Sequence, residues 1–226
     1  MKISAETVSL LQSFSQINSN LLVKPGNKLA TRNPVNSIQS RAVVQENFPT
    51  QFAIYDLNQL LSLISVSQGA EIEFGDKSLV IKSENGGVVE YFYADESLVQ
   101  APAENPPELE NIYSFTLTPT DISTIQKISA IVGATMMNVV SENGTVTLTL
   151  NDPKNSTSHS YKKVLGSSDI SFDVKMAVDS FKVVPEEYTV NIANAIGRGG
   201  KVVVFYLECQ KRDLTYLVAA EASSRV

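Results

Sequence analysis

The chain carries one cysteine and one histidine among 226 residues. Cys209 has no second cysteine to bridge, which fits a reducing compartment, and His159 alone cannot build a histidine-rich metal site. No run approaches the roughly 18 apolar residues of a membrane-spanning helix. Met1-Lys2-Ile3-Ser4 leads into a polar, amphipathic stretch and not into the apolar core of a signal peptide. The triplets Asn143-Gly144-Thr145 and Asn155-Ser156-Thr157 therefore carry no expectation of glycosylation. Basic residues are also short: 18 Lys and Arg against 24 Asp and Glu give a formal charge of −6. That balance argues against an outer surface that grips nucleic acid. With 43% apolar and only 19% charged residues, disorder and supercharging are excluded. The length suits one large β domain or two of just over 100 residues.

Catalytic chemistry is missing as well. His159 lies among Asn155, Ser156, Thr157, Ser158 and Ser160 with no nucleophile paired to it, and Cys209, in the run Val202 to Gln210, reads as a buried thiol. Gly197-Arg198-Gly199-Gly200 precedes a strand, opens no helix and lacks Gly-Lys-Ser/Thr, so it reads as a hairpin turn and not a phosphate loop. Glu71 with Glu73 and Glu108 with Glu110 sit in strand or linker without metal companions. No enzyme activity, cofactor or metal is expected.

What is present is a duplicated pattern. A stretch from Glu96, rich in Pro and Glu (Pro102, Pro106, Pro107), has no helix or strand period and reads as a connector. The expected organisation is a first domain at 1–95, a connector at 96–112 and a second domain at 113–226. Ser4 is a good N-cap for a helix with Val8, Leu11, Phe14 and Ile17 on one face. Strands are expected at 20–24, 28–32, 37–46 and 52–55, then a helix capped by Asp56 with Leu57, Leu60, Leu61 and Ile64 inward, then three more strands. An offset of 114 places Thr118 on Ser4, Ile122 on Val8, Ile125 on Leu11, Ile128 on Phe14 and Ile131 on Ile17. An offset of 120 places Phe172 on Phe52 and Phe181 on Leu61, which predicts a second short helix near 176–183. Each half reads as strand, helix, three or four strands, helix and three strands, an α+β fold built twice.

Met1-Lys2-Ile3-Ser4, Leu10-Leu11, Phe14, Ile17-Asn18-Ser19, Lys24, Gly26 and Thr31-Arg32 resemble the opening of the sliding clamp of large tailed bacteriophages. Ala53-Ile54-Tyr55-Asp56-Leu57-Asn58 resembles its most recognisable internal segment, and Tyr216-Leu217-Val218-Ala219-Ala220-Glu221-Ala222 its C-terminal region. The resemblance spans the chain and is weakest from Ser65 to Ser114. It implies two similar domains of the DNA clamp fold, joined head to tail in a homotrimeric ring with helices lining the pore and antiparallel sheets outside. The ring would encircle duplex DNA without sequence preference and tether the replicative DNA polymerase. A clamp loader ATPase and late transcription factors are the further implied partners, and the cytoplasm of the infected bacterial host is the implied location.

Three copies would carry −18, yet the Debye length is ~8 Å at physiological salt and a helix layer on a sheet is roughly 20 Å thick, so outer charges are screened from the pore. The helix faces decide. In the first half Ser9, Gln12, Ser13, Gln16, Asn58, Gln59 and Ser62 are neutral, whereas Lys127, Lys175 and Lys182 are expected on second-half helices facing DNA, with Asp121 and Asp179 nearby. Such a weakly basic lining positions a duplex while letting it slide. By family position, Tyr91, Phe92 and Tyr93 of one copy would meet Tyr161, Val164 and Leu165 of the next. Partner peptides would insert near Leu98, Val99 and Pro102 of the connector and Leu217, Val218 and Ala219. The alternative is a non-enzymatic phage structural or interaction protein with duplicated β-rich domains.

Overall fold

Ser4 begins the first helix where its cap is expected: its hydroxyl accepts from the Thr7 N–H at 3.2 Å. The computed structural model describes residues 1–226 apart from Gln68, Ser156, Arg198 and Gly199, in two units, Met1–Ala103 and Glu104–Val226. Unit 1 comprises α1 (Ala5–Ile17), β1 (Leu21–Val23), β2 (Gly26–Arg32), β3 (Ile38–Phe48), β4 (Phe52–Ile54), α2 (Leu57–Val66), β5 (Glu71–Phe74), β6 (Ser78–Lys82) and β7 (Val88–Phe92), then a 3-10 turn at Glu96–Leu98. Helix α1 buries Thr7, Leu10, Leu11, Phe14 and Ile17, and α2, capped by Asp56 on the Gln59 N–H, buries Leu57, Leu60 and Leu61. All strand pairs are antiparallel: β1 with β4, β2 with β3, and β5-β6-β7 in that order. Phe52 stacks on Tyr93 at 4.9 Å and meets Phe74 at 5.4 Å, an aromatic centre that joins β4, β5 and the end of β7.

Unit 2 comprises β8 (Glu108–Leu117), α3 (Pro119–Val132), β9 (Met136–Glu142), β10 (Thr145–Asn151), β11 (Tyr161–Ser167), β12 (Phe172–Ala177), β13 (Tyr188–Gly197), β14 (Gly200–Cys209) and β15 (Leu214–Ala219). Strand β8 begins inside the stretch read as connector. One sheet runs β11-β10-β9-β12; in the other the order within this unit is β15-β14-β13-β8. Asn143 (φ 51°) and Gly144 (φ 78°) form the left-handed turn between β9 and β10 that an Asn-Gly hairpin requires. Gly197 and Gly200 pair across the β13–β14 hairpin, and Arg198 and Gly199 of that expected turn lie outside the described residues.

Thr118 and Asp121 form a reciprocal capping box with Pro119 in the first turn of α3. The caps of α1 and α3 match at the offset of 114, but the buried faces match at 115: Thr7, Leu10 and Phe14 correspond to Ile122, Ile125 and Ser129. Helix α3 is turned by one residue about its axis, and Ile131, expected beside Ile17 in the core, is 80% exposed. The helix expected near 176–183 is not formed. Phe172, Val174 and Met176 alternate inward as part of β12, and a single 3-10 turn follows at Val178–Ser180. Val183, Val184 and Pro185 stop any continuation, since β-branched residues resist helix and the residue before proline is driven extended. No described helix is long and apolar enough to cross a membrane.

Buried Glu46 of β3 locks α1 from the side, accepting from the Ser4 N–H and the Thr7 hydroxyl. Burial opposes its ionisation, but the bonds from Thr7 and Ser4 outweigh that and hold the carboxyl below its usual range. A depressed folded pKa adds stability above the unfolded value and loses it as the pH falls through the folded one. Glu46→Gln is therefore expected to lower the unfolding free energy by about 1–2 kcal/mol at pH 7. The gap to the unsubstituted chain should close below about pH 4, as read by urea denaturation across that range.

Candidate functional site

The helices leave three different surfaces. Beyond its first turn α1 exposes Ser9, Gln12 and Gln16, and α2 exposes Asn58, Gln59, Ser62, Ser65 and Val66, all uncharged. Helix α3 exposes Lys127, Ala130 and Ile131 along its outer side, while Ile122 and Ile125 face the sheet. Asp121 does not spoil that side. It is half-buried, caps α3 and is ion-paired to Lys163 of β11. Burial opposes its charge, but Lys163 and the bonds from Thr118 more than compensate, so the carboxyl sits below the ordinary aspartate range.

Lys182 is exposed on the segment after the 3-10 turn and not on a helix. That segment is tied to α3: the Gln126 side-chain amide donates to the Val183 carbonyl at 2.8 Å. Tyr188 Oη donates to the Val184 carbonyl at 3.0 Å, and Tyr216 Oη accepts from the Val184 N–H at 3.3 Å. Lys127, next to Gln126, and Lys182, next to Val183, are thus brought to neighbouring segments. Lys175 is not part of this group. It lies on β12 opposite Asn138, on the sheet face away from Val174 and Met176, and its ammonium pairs with Asp173 at 2.8 Å. The helical placement of Lys175 is therefore corrected: strand alternation turns it from the face that carries Lys163 and meets α3.

Strands β7 and β11 each close one end of their sheets. Among the described residues β7 is hydrogen-bonded only to β6 and β11 only to β10. On β7 the side chains of Val88, Glu90 and Phe92 point outward, with Val88 63% and Phe92 67% exposed, whereas Tyr91 is buried and donates to the Asp56 carbonyl at 3.2 Å. Tyr91 is thus a core residue, and Tyr93 is half-buried on Phe52. On β11 Val164 is 64% exposed, Tyr161 and Leu165 are half-buried, and Leu165 is the extra residue of a bulge, since Val164 pairs with Thr147 and Gly166 with Val146.

On the second sheet of unit 2, Tyr188, Val190, Ile192, Phe205, Leu207, Tyr216 and Val218 fill the inner face. The opposite face holds an apolar cluster of Ala193, Ala195 and Val204 against Leu109 and Leu217. Ala219 is paired with Val204 on the same side. Leu217 and Ala219 thus share one surface, while Val218 is fully buried on the other, a correction that follows from alternation along β15. In unit 1, Leu98 is exposed and Val99 and Pro102 are half-buried. Ala193 is fully buried, and Val204 and Ala195 are 2% and 9% exposed, so this cluster is packed and offers no open pocket.

Arg32 and Arg41 were unreadable in sequence, and the structure places both on the outer side of the β2–β3 pair. Arg32 Nε donates to the Ala101 carbonyl at 3.0 Å and Arg41 Nη2 to the Ala103 carbonyl at 2.6 Å. His159 is exposed, and Cys209 is half-buried and not enclosed as expected, because it lies at the end of β14. Among the described residues no group of three His, Cys, Asp or Glu side chains is arranged to hold a metal.

No family model matches the chain. It is 28% identical over 199 residues to the sliding clamp of Vibrio phage KVP40, covering 85% of this chain and 90% of that protein. It is 26% identical over 234 residues to the sliding clamp of Escherichia phage RB69, covering 99% and 98%. To the sliding clamp of Enterobacteria phage T4 it is 32% identical over 108 residues, 47% of each. Among solved structures it superposes on Proliferating Cellular Nuclear Antigen from Entamoeba histolytica with a TM-score of 0.65 at 13% identity, covering 95% of this chain and 94% of that one. For PCNA from Thermococcus kodakaraensis the TM-score is 0.66 at 11% identity and 98% of both chains. The chain has the PCNA-type clamp fold, and its sequence resembles the sliding clamps of T4-like phages.

Lys163→Met should raise the Asp121 pKa toward the ordinary aspartate value, because one of the interactions that offset its burial is lost. Carboxyl-carbon NMR titration would read the shift, and an unmoved Asp121 would show that the Thr118 cap alone sets it.

Proposed function

We propose that the chain is a non-enzymatic sliding clamp subunit, which closes as a homotrimer around duplex DNA and tethers the replicative polymerase during processive synthesis. The observation that carries this reading is the exposed apolar character of two edge strands, β7 and β11. Strand β7 of unit 1 and β11 of unit 2 each present exposed apolar side chains beside unpaired backbone groups, in a chain that resembles sliding clamps along its whole length. Joining β7 of one copy to β11 of the next is a heterologous contact, which generates a ring when its rotation closes. Phe92, Val88 and Val164 are the apolar anchors of this contact, with Tyr161 and Leu165 at its margin and Tyr91 and Tyr93 supporting β7 from the core.

Within the ring, Lys127 and Lys182 are the cations assigned to the duplex, on a lining otherwise neutral and polar. Non-specific phosphate contacts of this kind orient DNA without fixing its register. Topology, not affinity, retains the clamp. Partner peptides are assigned to the connector residues Leu98, Val99 and Pro102, of which Leu98 is exposed. The polymerase, a clamp loader ATPase and late transcription factors are the partners this surface serves, in the cytoplasm of the infected host. The domain limits carried forward are 1–95 and 113–226 with the connector at 96–112.

Sedimentation equilibrium should give a trimer of about three times the 24.6 kDa subunit. Phe92→Asp and Val164→Asp should each reduce it to monomer, since burying an unpaired charge at an apolar anchor costs several kcal/mol; a strict monomer for the unsubstituted chain overturns the ring. Lys127→Glu with Lys182→Glu should leave the trimer intact and shorten the product length on primed circular DNA with polymerase and loader. Unchanged processivity would remove both lysines from the DNA face.

A further inference from the structure

We infer that Arg32 and Arg41 form a two-point latch that holds residues 98–103 as a preshaped strap, and that this latch sets how tightly the strap receives a partner peptide. The second half of the inference rests on the peptide-binding role proposed above; the first half stands on geometry alone.

Arg32 faces Gln39 and Arg41 faces Ala30 in the β2–β3 register, so the two arginines are diagonal neighbours on one sheet face. Leu29, Thr31, Ile38, Ser40 and Ala42 point the other way into the core. Two like charges side by side repel unless acceptors lie between or above them. Here those acceptors are backbone carbonyls: Arg32 Nε takes Ala101 and Arg41 Nη2 takes Ala103. In an extended chain the carbonyls of residues i and i+2 point the same way, which is the spacing of 101 and 103.

The local sequence forbids the usual alternative. Pro102 has no N–H and restricts Ala101 to extended conformations, so the strap cannot join a sheet through a continuous ladder. Ala101 and Ala103 have side chains small enough to let the backbone settle close to the arginines. The near end of the strap is anchored separately: Asp95 caps the 3-10 turn at Ser97, and the Gln51 amide donates to Glu96 at 2.7 Å. Leu98, Val99 and Gln100 are left between the two anchors, with Leu98 59% exposed. The strap is therefore fixed at both ends and free at its apolar middle. Fixing a receiving segment in advance removes the ordering cost from binding.

The test combines Arg32→Ala, Arg41→Ala and the double variant in the trimeric protein. Amide hydrogen exchange at residues 98–103 should quicken by roughly tenfold or more in the double variant, while β2, β3 and the trimer mass are unchanged. A synthetic peptide with the C-terminal residues of the cognate phage polymerase should bind roughly tenfold more weakly to it. Arg32→Lys and Arg41→Lys, which keep a charged donor group but lose the planar fork, should restore part of both signals; a purely structural role predicts no such graded rescue. Unchanged exchange in the strap overturns the latch. Faster exchange with unaltered peptide affinity overturns its link to binding. If the unsubstituted protein does not bind the peptide, the partner reading fails, and the exchange arm alone decides the latch.

Discussion

In unit 2 the seating of α3 on the sheet fixes where its neighbours point. Ile122 and Ile125 go down onto β10 and β8, and the helix start is held by the Thr118–Asp121 box and by Lys163 reaching up from β11. Because strand side chains alternate, committing Lys163 to the helix face sends Lys162 and Val164 to the opposite one. The same rule on β12 puts Val174 and Met176 inside and Lys175 outside. One packed face therefore fixes three things at once: which lysine is structural, which strand side chains stay exposed, and which side of α3 stays exposed.

Charge follows from that geometry. A chain of formal charge −6 is not obviously suited to surround a polyanion. Yet the exposed sides of α1 beyond its first turn and of α2 carry no charge, and the acidic residue at the start of α3 is neutralised by its partner across the sheet. Lys175, which seemed to add to a basic lining, is spent on Asp173 at the other face. On the outer side of α3 and on the segment tied to it, the exposed cations are Lys127 and Lys182. In the proposed ring such a sparse lining would suit sliding, because each added phosphate contact deepens the register in which a duplex rests.

Local signals were legible wherever a short-range rule governs them. Ser4, Asp56 and Thr118 cap helices because an oxygen side chain before an apolar stripe has few other uses, and Asn143-Gly144 turns because both residues accept positive φ. Two of the misreadings share one cause, the transfer of a pattern from one half to the other. Aligning Phe181 with Leu61 suggested a helix, but Leu57, Leu60 and Leu61 lie in a ten-residue helix free of proline, whereas Phe181 stands four residues before Pro185 with valines between. Aligning caps put Ile131 in the core, but a helix turned by one residue moves every side chain by about 100°. Val218 and Tyr91 needed the phase of their strands, which apolar runs such as Tyr216 to Ala219 conceal. Arg32 and Arg41 could not be read at all, since their partners are carbonyls some 60 to 70 residues away.

Free edges such as β7 and β11 are ordinarily a hazard, because any strand of either kind can add to them. Here the outward residues discriminate. Strand β7 carries Glu90 between Val88 and Phe92, and β11 carries Lys162 beside Val164. Two β7 edges brought together would oppose glutamate with glutamate, and two β11 edges lysine with lysine, each unfavourable for directly facing like charges. Pairing β7 with β11 opposes unlike charges and still buries the apolar side chains. The self-complementary arrangement that gives a two-fold dimer is thus disfavoured at both edges. That charge pattern supports the proposed joining of β7 to β11, and a heterologous contact of that kind must either close into a ring or grow without end.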